Sequence, residues 1–384
     1  MKVMKAFGPQ DLRVVETPAP EPRPGWVLVK VRVSGICGSD KGIWFVKDKV
    51  EGVIGHEAAG EVVGLGEGVT SLAEGDRVMI NNVGGCGECP ACRAGAFALC
   101  RHREGAIDVN NGYGEYLIAP ARNCLRIPDG LDYIDGALIM DNWGTPYGAI
   151  KRLGGVDNVL GVTSEDGGGK ARGVCGDEAR GEKTRSAETL EADNIISLVS
   201  STSGIGAGTY ALVSGCGPIG QAALALLKAF GAYVIAADPL EWRREFALRN
   251  GADAVFAPNE LPEAARAFAD GLGAHVAFEC SGKGAAYDNC LKSLRNGGTL
   301  VTIGENAEFL LRPSDQLIRR SLGILGTWYS TLPNAAEVAQ LALQSRVNLR
   351  SFLTHTISLD EVPSMFGRIV ASEDGIMKCM IVFD

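Results

Sequence analysis

Four cysteines crowd into fifteen residues: Cys86, Cys89, Cys92 and Cys100, spaced C-x2-C-x2-C-x7-C, with Gly85, Gly87, Pro90 and Gly95 among them. Two-residue gaps let successive thiolates turn inward on one ion, and four thiolates close a tetrahedral zinc site with no open position. A redox pair or four unrelated buried cysteines are the competing readings; three evenly spaced cysteines plus a fourth favour zinc. Such a site stabilises a lobe and does no chemistry. A second feature, Gly215-Cys216-Gly217-Pro218-Ile219-Gly220, follows the apolar run Ala211-Leu212-Val213-Ser214 and opens an amphipathic stretch, and the next apolar run ends at Asp238, eighteen residues past the last glycine. In that context G-x-G-x-x-G is a dinucleotide fingerprint. Gly215 allows the tight turn, Gly217 lets a pyrophosphate approach the backbone, and Gly220 lets the helix pack close, while Pro218 and Ile219 stand where a helix N-terminus offers free N–H groups. Asp238 would bind both ribose hydroxyls and repel a 2′-phosphate, so NAD is expected over NADP, although Arg243 and Arg244 follow closely. Gly204-Ile205-Gly206-Ala207-Gly208 is a decoy, because a strand and not a helix comes after it. The third feature pairs Cys37, in Gly35-Ile36-Cys37-Gly38-Ser39-Asp40, with His56, in Gly55-His56-Glu57-Ala58-Ala59-Gly60. Thiolate, imidazole and carboxylate are ligands that zinc accepts, but by itself this pair is ambiguous.

These residues need elements to hold them. The first 125 residues look β-rich, with strand patterns at Val27–Val33, Gly60–Gly64 and Asp76–Ile80 bounded by Gly, Asp or Pro. From about Tyr210 the pattern alternates: strand at Ala211–Ser214, helix at Ile219–Phe230, then strands at Tyr233–Ala237, Val276–Glu279 and Thr299–Ile303. Such alternation implies a parallel sheet. After Tyr329 the chain returns to helix and short strands, ending in Met380-Ile381-Val382-Phe383. Between the halves, roughly 157–203, lies a stretch with Gly167-Gly168-Gly169 and mixed charges but little periodicity. It reads as a surface excursion, with a docking element for a partner or second subunit as the alternative.

A length of 384 residues suits two domains, and 46% hydrophobic with 22% charged residues is the profile of a folded protein. Lys and Arg total 37 against 46 Asp and Glu, a net charge of −9 without a basic block, which argues against nucleic acid and anionic membrane as partners. No membrane span is expected, since the longest apolar stretch, Ala222–Ala237, is broken by Lys228 and Gly231. An export signal is not expected either, because Met1–Phe7 runs into a polar, proline-rich segment. Eleven cysteines, an odd number with four clustered, point to metal in a reducing compartment, so a cytoplasmic location is expected.

With these motifs in this order, the sequence resembles the zinc-dependent alcohol dehydrogenases of the medium-chain dehydrogenase/reductase superfamily, from Met1 to about Leu153 and again from about Tyr210 onward. The resemblance implies an α/β fold: a GroES-like β-rich catalytic domain at 1–150 and 330–384, with a structural zinc lobe at 84–102, joined to a Rossmann doubly wound parallel-sheet domain at 151–329 that carries an atypical insert at about 157–203. It implies two zinc ions per chain. Cys37, His56 and Asp141 would be catalytic ligands, with Glu57 beside the metal and able to ligate it transiently. Ser39 matches the hydroxyl that passes on the substrate proton, and Lys378 matches a basic residue that helps hold the cofactor pyrophosphate. Zinc with three protein ligands keeps a fourth position for an alcohol oxygen and makes alkoxide formation feasible near neutral pH. Two departures stand out. Gly42 occupies the position where many members have a histidine that completes the proton path, and the 157–203 insert has no counterpart; it is expected to serve assembly or partner contact. Of the other histidines, His102, His275 and His355 are expected to be surface or core residues. Trp44, Phe45 and Trp143 are candidates to line the cleft or to pack at the domain interface. The Asp-type ligand and the short loop after Asp40 look more like members acting on polyols, threonine and secondary alcohols. The expected partner is thus a small alcohol or ketone of polyol, sugar or cyclitol type, with a homodimer or homotetramer as the assembly. A redox-neutral NAD- and zinc-dependent epimerase is the alternative, and a non-catalytic scaffold the third reading.

Overall fold

The chain opens with a hairpin, β1 (Lys2–Gly8) and β2 (Asp11–Glu16), and enters β3 (Trp26–Gly35), where buried residues alternate with partly exposed ones as a half-buried strand requires. The computed structural model describes residues 1–50, 52–103, 108–154, 204–306 and 308–384; the expected insert at 157–203 lies outside the described residues. Antiparallel to β3 runs β4 (Glu57–Leu65), followed by β5 (Arg77–Ile80), β6 (Tyr116–Pro120) and β7 (Cys124–Arg126). A helix at Tyr133–Leu138 begins on a capping box, Asp132 accepting from the Ile134 and Asp135 amides. It continues through a π-helical turn, Ile139–Trp143, in which all five residues are buried, into a helix at Gly144–Arg152.

The second sheet is wholly parallel. Its strands are β8 (Tyr210–Ser214), β9 (Tyr233–Ala237), β10 (Ala254–Phe256), β11 (Ala274–Glu279), β12 (Leu294–Thr302) and β13 (Gly323–Gly326), in the spatial order β10-β9-β8-β11-β12-β13. Counted from β8 this is 3-2-1-4-5-6, the doubly wound order whose switch point lies between β8 and β11. The last strands, β14 (Leu353–Ile357) and β15 (Lys378–Val382), return to the first sheet, giving β14-β15-β3-β4-β5-β7 with β6 also paired to β3. The expected α/β fold, GroES-like unit plus Rossmann sheet, is therefore present. One buried apolar cluster runs from Ala59 and Met79 through Leu138, Trp143 and Ile150 to Leu226 and Val234, so the helical segment that leaves the first sheet is packed into the second half. Each of the larger side chains contributes about 1.5–3 kcal/mol on burial, which makes that segment a rigid seam. Among the described residues no helix is long and apolar enough to cross a membrane.

Candidate active site and metal centres

Three segments deliver the first cluster: the loop after β3 carries Cys37, the entry to β4 carries His56 just before the strand and Glu57 as its first residue, and the π-helical turn carries Asp141. One ligand atom from each of these four residues lies within 4.8 Å of all the others. Cys37 Sγ is 3.5 Å and His56 Nε2 3.6 Å from Asp141 Oδ2. On the other side of the imidazole, His56 Nδ1 is 3.3 Å from Asp40 Oδ1, while Asp40 Oδ2 accepts from the Cys37 amide at 2.9 Å and the Tyr113 hydroxyl at 2.5 Å. A carboxylate on one ring nitrogen fixes the tautomer and aims the other nitrogen's lone pair at the cluster. Thr145 Oγ1 donates to Asp141 Oδ1 at 3.1 Å, and Asn142 Nδ2 to Glu57 Oε1 at 2.9 Å. Ser39 Oγ stands 3.5 Å from His56 Nε2 on an exposed turn.

The electrostatics suit a divalent cation. Burial, then the nearby Asp141 and Glu57, pushes the Cys37 thiol up to about 11. For His56, burial opposes the charge, but hydrogen bonds with Asp141, Asp40 and Cys37 prevail and hold it well above the usual imidazole range. One thiol, one imidazole and two buried carboxylates gathered on one point are donors that zinc accepts.

Lys378, expected to help hold the cofactor pyrophosphate, is placed beside Glu57. It is 1% exposed, its Nζ bonds the Ile36 carbonyl at 3.0 Å, and it forms a buried ion pair with Glu57, which is fully buried. Glu57 without a countercharge would be an unpaired buried carboxylate, and Lys378 supplies that charge from β15. Gly35 makes room for the pair, since a Cβ there would stand 1.9 Å from Glu57 Oε2. A different cation faces the other half. Lys41 is held below the usual lysine range by burial and then by Arg243 and Lys283, so cations from both halves converge.

At the switch point Gly215 turns with φ +93°, and a Cβ would meet Ser281 at 2.8 Å; at Gly220 a Cβ would stand 1.9 Å from the Gly215 carbonyl. Gly217 caps the helix Pro218–Ala229 with open space over its α-carbon. Asp238 Oδ2 accepts from the Cys216 amide at 2.9 Å, tying the end of β9 to the glycine turn, and Arg243 Nη1 lies 3.9 Å away. Arg243 Nε and Trp242 Nε1 are enclosed beside it without hydrogen-bond partners.

In the cysteine lobe, Cys86 and Cys92 have their sulfurs 4.0 Å apart, Cys89 and Cys100 3.9 Å. Thiolates on a tetrahedral zinc with bonds of about 2.3 Å sit roughly 3.8 Å from one another, so the donor set fits the ion. The His102 and Cys86 amides point at Cys100 Sγ, at 3.3 and 3.4 Å.

The remaining candidates are placed elsewhere. Trp143 is buried with its indole N–H on the Leu349 carbonyl at 3.0 Å, Trp44 stacks on Phe366, and Phe45 is exposed. His102 lies on the surface; His275 accepts the Tyr210 amide at 3.0 Å, and His355 pairs with the Thr354 hydroxyl. Sequence reasoning missed Asp40, Tyr113, Thr145, Asn142, Lys41 and Tyr329. Only Asp40 carried a local signal, three positions after Cys37. Tyr329 is a non-glycine residue at φ +57°, is 8% exposed, and has an enclosed hydroxyl without a hydrogen-bond partner. Burial and then Asp141 push its hydroxyl up, His56 and Glu57 are close enough to act on it as well, and the Asn82 backbone amide approaches its oxygen.

Residues 23–129 match the alcohol dehydrogenase GroES-like domain family, and residues 218–344 match the zinc-binding dehydrogenase family. An alcohol dehydrogenase of Geobacillus stearothermophilus is 29% identical over 366 residues, 93% of this chain and 92% of its own length. An L-threonine 3-dehydrogenase of Thermococcus kodakarensis is 29% identical over 397 residues, 98% and 95% of the two chains. A protein of E. coli CFT073 described as a short chain alcohol dehydrogenase, solved in complex with the cofactor NADH, shares the fold with a TM-score of 0.77 at 21% identity, covering 100% of this chain and 99% of that one.

Proposed function

Because the chain belongs to the zinc-dependent alcohol dehydrogenases of the medium-chain dehydrogenase/reductase superfamily, we propose that it transfers a hydride between a secondary alcohol of polyol, sugar or cyclitol type and NAD. It is an oxidoreductase that works with zinc, NAD and a small-molecule substrate. The observation that carries the finer reading is the acidic third member of the cluster, Asp141, gathered with Cys37 and His56.

In this reading Cys37, His56 and Asp141 hold a catalytic zinc, Glu57 stands beside it paired to Lys378, and Cys86, Cys89, Cys92 and Cys100 hold a structural one. When bound, the catalytic ion supplies Lewis acidity toward the alcohol oxygen and the nicotinamide accepts the hydride. Ser39 Oγ carries the substrate proton outward; the serine is itself exposed, so Gly42 in place of a histidine leaves a direct exit to water. The glycine turn with Pro218 and Ile219 holds the pyrophosphate at the helix N-terminus. Asp238 takes the ribose hydroxyls, and the carboxylate disfavours a 2′-phosphate even with Arg243 alongside. Division into a catalytic domain (1–150 and 330–384) and a cofactor domain (151–329), a homodimer or homotetramer, and a cytoplasmic location belong to the same proposal. None of the ten described cysteines is in a disulfide.

The test is absorbance in the NADH band with zinc-replete protein, NAD, and polyols, sugars, cyclitols and simple secondary alcohols, beside metal analysis. A rise with one substrate class and two zinc ions per chain are expected. No rise with any substrate overturns the dehydrogenase reading. Gly42 favours the epimerase as the second reading, because such an enzyme returns its hydride and accumulates no NADH.

A further inference from the structure

Tyr329 sits just past the carboxyl end of β13, on the side of the parallel sheet where ligands of doubly wound folds bind. The segment is pinned on two sides. Asn81 Nδ2 donates to the Ser330 carbonyl at 2.9 Å, and the Leu332 amide to the Gly95 carbonyl at 3.0 Å. Ser330 also presses on Gly144, three residues beyond Asp141, where a Cβ would stand 2.2 Å from Ser330 Oγ. This pinning holds Tyr329 in a left-handed conformation that costs a non-glycine residue on the order of 1 kcal/mol. An enclosed phenol hydroxyl with no acceptor for its proton is a second cost, because buried polar groups are otherwise nearly always satisfied. Two costs at one residue beside the metal cluster indicate a hydroxyl kept ready for a ligand.

We infer that the Tyr329 hydroxyl is a substrate-binding group that donates a hydrogen bond to a second oxygen of the substrate, on the carbon next to the reacting one, and so selects vicinally oxygenated alcohols over simple secondary ones. The inference rests on the dehydrogenase reading above and narrows it. A neutral phenol is a donor at physiological pH, and a site built around such a donor rejects the analogue that lacks the matching oxygen, because the buried group is then left unpaired.

The test compares propane-1,2-diol with propan-2-ol on the zinc-loaded protein and on Tyr329→Phe, which keeps the ring and removes only the hydroxyl. Wild type should favour the diol in kcat/KM. In the variant the diol should lose about tenfold, the order of one neutral hydrogen bond in an enclosed site, with propan-2-ol within about twofold and KM for NAD unchanged. Quenching of bound NADH fluorescence by the same two alcohols reads binding without turnover and should show the same split. If wild type handles both alcohols and the variant weakens both equally, or neither, this inference falls while the dehydrogenase reading stands. If wild type neither binds nor oxidises either alcohol or any other tested, both fall.

Discussion

Replacing Lys378 by methionine removes the cation that is ion-paired with a fully buried carboxylate. In the intact protein Lys378 and Glu57 are 1% and 0% exposed, and the remaining Glu57 oxygen has the Asn142 amide at 2.9 Å. Methionine fills nearly the same volume, so the loss is electrostatic: Glu57 keeps one neutral donor, and the Ile36 carbonyl loses its partner as well. Breaking a buried pair from one side costs about 3–5 kcal/mol. A chain of this size moves its melting temperature by about 2 °C per kcal/mol, so Lys378→Met should melt about 6–10 °C lower. Calorimetry on the zinc-loaded protein measures this. The double variant Lys378→Met with Glu57→Gln removes both charges and should recover most of the loss, falling short by the unpaired Ile36 carbonyl. A single variant that melts within 2 °C of wild type, or a double variant worse than the sum of the singles, would refute the buried pair. Were Lys378 a surface ligand of the pyrophosphate, the single variant would raise KM for NAD and leave the melting temperature alone.

Two further expectations follow from close packing and from burial. Gly220→Ala puts a methyl 1.9 Å from the Gly215 carbonyl, so the turn must open; KM for NAD should rise at least about tenfold with both zinc ions retained, and an unchanged KM would count against the glycine turn as the cofactor seat. Burial and then Arg295 depress His275 to about 4, against an ordinary value near 6.5. Since the unfolded chain binds that proton first, stability falls as pH drops from about 6.5 to 4; discounted for a half-exposed ring the loss is about 1–2 kcal/mol. His275→Gln keeps an acceptor for the Tyr210 amide and should lose less between pH 7.5 and 4.5 in urea unfolding; equal losses would assign the effect to other groups.

What could be read from the sequence was what is written in short spacings. The four cysteines and the glycine turn meet their partners within a loop or one strand–helix unit, so residue type and interval already imply the geometry. The strands at Val27–Val33 and Tyr233–Ala237 were legible for the same reason, as alternation or apolar runs between turn residues. Lys378 was not, because its partner is 321 residues away and a lone basic residue near a strand carries no sign of what it faces. Trp143 sits two positions from Asp141, yet the π-helical turn directs it to Leu349 and the core rather than to the cluster. Tyr329 announces itself only through its backbone angle and its enclosed hydroxyl, both products of tertiary packing.

The pairing of β15 with β3 also sets an order of assembly on the ribosome. Glu57 is synthesised 321 residues before the lysine that neutralises it. Strands β8 to β13, by contrast, are contiguous in the chain and can form their sheet while β15 is still unmade. The first sheet has to wait, with β4 unable to bury its carboxylate as an ion until the strand from the far end slots in beside β3. The nascent protein therefore completes its nucleotide half first and its metal half last. A stalled or shortened chain that lacks β15 would present a folded Rossmann sheet attached to an open first sheet with Glu57 uncompensated, a form suited to capture by chaperones rather than to catalysis.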